Sequence, residues 1–155
     1  MSVEPGIVDA NVLAYASNAD DPKNAPSRAL LDEARDPSVT LYVTPQILCE
    51  FYSVITNPRR VAAPSSPAVA LQVISALLAM PGISILPTTA RAVPALLDLL
   101  RRHPVTGPEI FDLQIIATMK ANNVSRIYTF NVQDFAAFPE LTVIVPGSGR
   151  PSTTL

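Results

Sequence analysis

The sequence predicts an α/β fold, a single domain around a central, mainly parallel sheet of four to five strands. Three observations predict it. Short apolar, β-branched runs alternate with helical segments along the whole chain, the order that produces a parallel sheet with helical crossovers. Hydrophobic residues make up 48% of the 155 positions and charged residues only 15%, a balance that suits strands covered on both faces. Sixteen prolines against five glycines mark helix starts and stiff loops. Crossovers in such a sheet are right-handed, which puts helices on both faces.

The elements follow in order. Gly6-Ile7-Val8 is an opening buried strand that ends at Asp9. Ala10 to Ser17 is helix-forming, and Asp20-Asp21-Pro22 closes it as a turn. Pro26 to Arg35 predicts a helix with Leu30, Leu31 and Ala34 inward, and Val39 to Val43 a second strand. Thr44-Pro45 starts a helix, Thr as the capping residue and Pro at the first helical position. That helix runs to about Thr56, where Asn57-Pro58 stops it. A loop spans Arg59 to Ser65; Ser66-Pro67 repeats the start signal for a helix to about Met80. Pro81-Gly82 turns into a strand from Ile83 to Leu86. Thr88-Thr89 opens a helix to Arg102, with Pro94 near its first turns or kinking it, and His103-Pro104 ends it.

Gly107-Pro108 then opens a helix whose apolar positions Ile110, Leu113, Ile116 and Ala117 recur at helical spacing. Asn122-Asn123 stops it, because Asn tolerates the left-handed conformation of a helix end. Arg126 to Thr129 is a short strand, followed by a loop carrying Asn131 and Asp134. Leu141 to Val145 is the last strand. The domain spans 1–146, and 147–155 is a Gly/Pro/Ser/Thr-rich tail expected to be flexible.

The totals exclude several classes. A net charge of −2 gives no global attraction to nucleic acid, so a polyanionic substrate needs local cations or a bound metal. One cysteine excludes an internal disulfide framework, and no Cys or His cluster supports zinc. There is no Gly-rich phosphate loop, no signal peptide, and no uninterrupted apolar run near the roughly 18 residues of a membrane span. A cytoplasmic location is the expectation. Cys49, among Ile47, Leu48 and Phe51, reads as a small core residue. His103, the single histidine, sits beside Arg101 and Arg102 at an exposed helix end.

Most of the thirteen acidic residues, among them Asp20, Asp21, Asp32, Glu33, Asp36 and Glu140, read as solvated surface. Four have distinctive settings. Asp9 ends a buried strand, where it either caps the next helix or binds a metal. Glu50 lies within Ile-Leu-Cys-Glu-Phe-Tyr; it belongs to a solvated stripe with Gln46 and Ser53, or it is buried and needs a partner. Asp112 lies early in its helix, where it and Glu109 complement the helix dipole, and Asp134 follows a strand. Ligands in open α/β sheets gather at the carboxyl ends of the strands. Jointly these acids suggest a hard-cation site for Mg²⁺ or Mn²⁺. Clustered carboxylates repel, and a divalent ion removes that repulsion while acting on a phosphodiester.

These residues carry a family resemblance. Ile7-Val8-Asp9-Ala10-Asn11-Val12-Leu13 resembles the opening of PIN-domain ribonucleases, especially VapC-type toxins of bacterial toxin–antitoxin pairs. Glu50 in the Thr44-Pro45 helix matches that family's second acid, and Asp112 in Ile-Phe-Asp-Leu-Gln-Ile-Ile-Ala its third. Thr129-Phe130-Asn131-Val132-Gln133-Asp134-Phe135 resembles the closing motif, with Asp134 as the fourth acid. The resemblance spans about Gly6 to Val145. It implies an α/β/α sandwich and a Mg²⁺- or Mn²⁺-dependent endoribonuclease. It also implies a homodimer held in check by a small antitoxin that blocks the acidic pocket. Asp9, Asp112 and Asp134 would hold the metal, directly or through water, and Glu50 would orient or deprotonate the attacking water. Asn11, Asn131 and Thr129 would stand beside them, Asn11 and Asn131 bonding water or substrate. Some relatives carry Asp where this chain has Asn131, which leaves the number of ions open. The alternative is a catalytically silent domain of the same fold that binds RNA or protein. A phosphotransfer domain with Asp9 as nucleophile fits less well, since residue 11 is Asn and Lys23 and Lys120 are the only lysines.

Overall fold

Five three-residue strands carry the sheet: β1 (Gly6–Val8), β2 (Leu41–Val43), β3 (Ile83–Ile85), β4 (Arg126–Tyr128) and β5 (Thr142–Ile144). The computed structural model describes residues 3–148. All four pairings are parallel, in the order β3-β2-β1-β4-β5. β1 is central and wholly buried, as expected of Gly-Ile-Val with neighbours on both edges. Ile7 pairs with Tyr42 on one side and with Ile127 on the other.

The helices are α1 (Ala10–Ala16), α2 (Asn24–Asp32), α3 (Pro45–Thr56), α4 (Pro67–Leu78), α5 (Ala92–Arg102), α6 (Ile110–Ala121) and α7 (Val132–Phe135). α1 packs on α2 and α3, and α3 on α4; α5 and α6 pack on each other. Right-handed crossovers account for the split: the chain steps outward from β1 to β2 to β3, then returns past β1 to β4, so the second helix group covers the opposite face. The layers enclose one core that includes Ile7, Val8, Leu41, Ile47, Phe51, Leu99, Ile116, Met119 and Ile127, all at most 1% exposed.

Local signals set most boundaries. Thr44 Oγ1 accepts from Ile47 N at 3.0 Å and Ser66 Oγ from Val69 N at 3.2 Å, each ahead of a proline in the first turn. Asn123 takes the left-handed conformation, φ 56°, that the helix stop requires. Four expectations shift. α2 begins at Asn24, with Pro26 inside its first turn, and tightens into a 3-10 turn at Glu33–Arg35. α5 begins at Ala92 rather than Thr88, so Pro94 falls in its first turn, where a missing N–H costs nothing. The segment carrying Asp134 is not a loop but the short helix α7. Cys49 is exposed, not in the core: α3 buries Ile47, Phe51 and Ile55, and a residue two positions after Ile47 points to the other side. Of the tail expected to be flexible, Gly147 and Ser148 are described, with Ser148 Oγ donating to Val145 O at 2.7 Å; residues 149–155 lie outside the described residues.

Candidate active site

The sheet has its switch point between β1 and β4: from β1 the chain leaves toward β2 on one side, and β4 lies on the other. The helices leaving two such strands diverge and open a crevice at their carboxyl ends. Asp9 follows β1 and Thr129 follows β4 at that crevice.

Asp9 is only 6% exposed and is held by three donors. Its Oδ1 accepts from Ala10 N at 2.8 Å, and its Oδ2 from Asn11 Nδ2 at 2.9 Å and Thr129 Oγ1 at 2.8 Å. Helix-capping and site membership, two readings open in the sequence, are therefore compatible. A carboxylate has about four lone-pair positions, so one remains open. The Thr129 hydroxyl is saturated: it donates to Asp9 and accepts from Asn11 Nδ2 and Asn131 N, both at 3.0 Å. The Asn11 amide nitrogen donates to both Asp9 Oδ2 and Thr129 Oγ1, while its Oδ1 accepts from Phe130 N at 3.0 Å. Asn11 is thus a strut between β1 and β4.

The other acids come from three further elements. Asp112 stands in the first turn of α6, Glu50 on α3 and Asp134 on α7. Among the described residues no hydrogen-bond donor reaches the Asp112 carboxylate. Burial, then the charges of Asp134, Asp9, Glu50 and Glu109, push its pKa up from 3.8 to about 6. Asp9 is also raised, first by burial and further by Glu50, against the lowering by its hydrogen bonds to Thr129, Ala10 and Asn11. The four acids singled out in the sequence therefore share one electrostatic field. Glu109, read there as a dipole partner only, adds to it.

They do not close into a cage of protein ligands: among the described residues no three His, Cys, Asp or Glu side chains converge closely enough to enclose a metal ion. An all-oxygen, multiply acidic crevice with an open Asp9 lone pair still fits a hard divalent cation, since Mg²⁺ takes one or two carboxylates and keeps several waters.

One site residue was missed in the sequence. Gln46, placed there on a solvated stripe, donates through Nε2 to Glu50 Oε1 at 2.7 Å and to the Phe111 carbonyl at 2.9 Å. It holds Glu50 and ties α3 to the residue before Asp112. The i, i+4 spacing of Gln46 and Glu50 was the available signal; the α6 contact had none. Asn131 is exposed, with no capping bond from its side chain.

This fold and its crevice define a class: the chain belongs to the PIN-domain family, whose model matches residues 6–141. Within that class the similarity runs to VapC proteins. The chain is 34% identical over 118 residues to ribonuclease VapC43 of Mycobacterium tuberculosis and, equally, to a VapC ribonuclease of Mycobacterium bovis, covering 76% of this chain and 80% of each relative. The fold is also that of VapC20 of Mycobacterium tuberculosis, a Sarcin-Ricin loop cleaving toxin, with TM-score 0.64 at 18% identity over 87% of this chain and 95% of the other. It is similar to a chain of VapBC2 from Rickettsia felis, solved bound to a DNA fragment from its promoter, with TM-score 0.65 at 16% identity over 92% and 98%. Among the described residues no helix is long and apolar enough to cross a membrane.

Proposed function

We propose that this chain is an endoribonuclease, the toxin of a toxin–antitoxin pair, hydrolysing an RNA phosphodiester with the help of Mg²⁺ or Mn²⁺. The observation that carries the reading is the shared field at the β1–β4 crevice, where Asp112 feels the charges of Asp134, Asp9 and Glu50, and Asp9 that of Glu50, in a chain 34% identical to a named ribonuclease.

Asp9, Asp112 and Asp134 would hold the ion, directly or through water. A bound divalent cation supplies Lewis acidity and offsets charge on the phosphate. The protein supplies the rest. Thr129 and Asn11 hold Asp9 so that its open lone pair faces the crevice. Glu50, oriented by Gln46, accepts a proton from the attacking water. The water oxygen bonds to phosphorus, the bond from phosphorus to the leaving ribose oxygen breaks, and that oxygen takes up a proton. The partners are RNA, a small antitoxin that covers the acidic crevice, and a second copy of the chain; the compartment is the cytoplasm.

The test is cleavage of cellular RNA by the purified chain after chelation and re-addition of Mg²⁺ or Mn²⁺. Either ion restores cutting in the native protein and neither does in Asp112→Asn. Binding of RNA without cutting under every condition would replace the reading with a silent binding module. Growth arrest on expression, relieved by the small reading frame beside its gene and absent in Asp9→Ala, tests the toxin role; light scattering tests the dimer.

A further inference from the structure

We propose that Lys23 is a phosphate-docking residue for the RNA strand, fixed over the Tyr15 and Phe130 rings at the flank of the acid crevice. The inference rests on the ribonuclease reading and adds to it a substrate contact outside the acids.

The two rings grow from the segments that hold Asp9. Tyr15 stands four residues beyond Asn11 on α1, about 6 Å along the axis and on the same helix face. Phe130 directly follows Thr129, and its N–H donates to Asn11 Oδ1 at 3.0 Å. The rings meet edge to face, with centroids 5.3 Å apart and planes at 85°. Lys23 Nζ lies 4.7 Å from the Tyr15 centroid, 5.5 Å from that of Phe130 and 3.4 Å from the Tyr15 hydroxyl.

The base of the lysine is held as well. Its backbone N–H donates to Asp21 Oδ1 at 2.8 Å. The next residue, Asn24, ties the segment to the end of α1 through Nδ2 bonds to Tyr15 O at 2.8 Å and Ala16 O at 3.1 Å. Ring faces attract an ammonium without neutralising it. Three donors serve the ammonium; one faces the Tyr15 hydroxyl and two remain.

Charge gives this placement its meaning. The chain carries −2 overall, and its crevice is acidic, so an approaching polyanion needs local positive charge. Arg35, Arg102, Lys120 and Arg126 are each within ion-pair distance of a carboxylate. Lys23 is exposed and, like Arg28, Arg59, Arg60, Arg91 and Arg101, has among the described residues no carboxylate within that range; of these cations it is the one held against the Tyr15 and Phe130 rings. A cation that is unpaired, held in place and connected through Phe130 and Asn11 to Asp9 suits a phosphate beside the one being cut.

The experiment compares the full-length native chain with Lys23→Met, which keeps the stem on the rings, and Lys23→Arg, which keeps the charge. Cutting of cellular RNA locates a cleavage site, and a labelled oligonucleotide spanning it is the substrate, with Mg²⁺ and varied KCl. Lys23→Met raises KM about tenfold, as loss of a charge-assisted bond predicts, with kcat within about twofold. It also flattens the dependence of log kcat/KM on log salt by about 0.7, one single-strand phosphate contact. Lys23→Arg restores both. Unchanged KM and salt slope in Lys23→Met, or a fall in kcat alone, overturns the docking role and leaves the ribonuclease standing. A native chain that cuts no RNA under any metal removes both.

Discussion

Asp9 and Asp112 face the same crevice but are held in opposite ways. Asp9 is buried, with three hydrogen bonds that tie it to the ends of two neighbouring strands. Asp112 sits in the first turn of α6 with no donor of its own among the described residues, and its pKa rises to about 6 under burial and the surrounding acids. The Asp9 corner is thus preorganised by the fold, while the charge at the Asp112 corner is left uncompensated. On the proposed metal-dependent reading, the first would set an ion's position and the second would make its binding favourable by relief of repulsion.

The strongest way to break this contrast is at the frustrated corner. Asp112→Asn should lower metal-dependent RNA cleavage on the order of 1000-fold, the several kcal/mol that metal-assisted charge stabilisation supplies. Its circular dichroism should stay native. Metal-free Asp112→Asn should also melt above the native protein at pH 7, since a repelled charge is gone.

The pinned corner should respond in the opposite sense. Thr129→Val removes a donor to Asp9 and leaves Asn131 N without its acceptor. It should cost about 1–3 kcal/mol of stability in a urea titration, the penalty of unpaired buried polar groups. A stability equal to the native protein would show that the network does not hold Asp9.

Three further effects sharpen the contrast. Saturating Mg²⁺ should stabilise the native chain by about 2.7 kcal/mol when free ion is about 100 times its Kd, and should stabilise Asp112→Asn much less. In the metal-free protein, the folded pKa of Asp112 lies above its unfolded value, so protonation favours the folded state. That contribution is full below 3.8 and is lost as pH rises through about 6. Thermal melts should therefore fall in midpoint across this window, with a shallower fall in Asp112→Asn; Asp9, raised in the same direction, supplies the remainder. The smallest effect belongs to Gln46→Leu, which frees Glu50 and the α3–α6 tie at about 1 kcal/mol and lowers cleavage several-fold without changing metal affinity.

Much of this was legible in the chain before any coordinates. The helix starts at Thr44-Pro45 and Ser66-Pro67 and the stop at Asn123 are local chemistry, and the structure has them where the residues indicate. Pro26 marked a first turn without saying at which position of it, and Thr88-Thr89 signalled a helix that begins only at Ala92, while Pro94 stands in the first turn as expected. Cys49 was misread because neighbouring apolar residues on a helix do not share a face; only the Ile47, Phe51, Ile55 set faces the core. Thr129 as a strut and the tie of Gln46 to α6 were illegible, since a hydroxyl or an amide acquires such a role only through a partner distant in the chain.

By itself the sequence determined the order of the strands and of the helices other than α7, the α/β class, and which acids stand at element ends, because propensity, capping and periodicity act within a few residues. Tertiary structure alone decided that β1 lies between β2 and β4. That ordering brings Asp9 within 2.8 Å of Thr129 across 120 positions of chain and puts Asp112 in the field of Asp134, Asp9 and Glu50. The physical reason is that a parallel sheet pairs strands by crossover handedness and buried area, so the neighbours of a site residue are chosen by the sheet and not by the stretch of chain it belongs to.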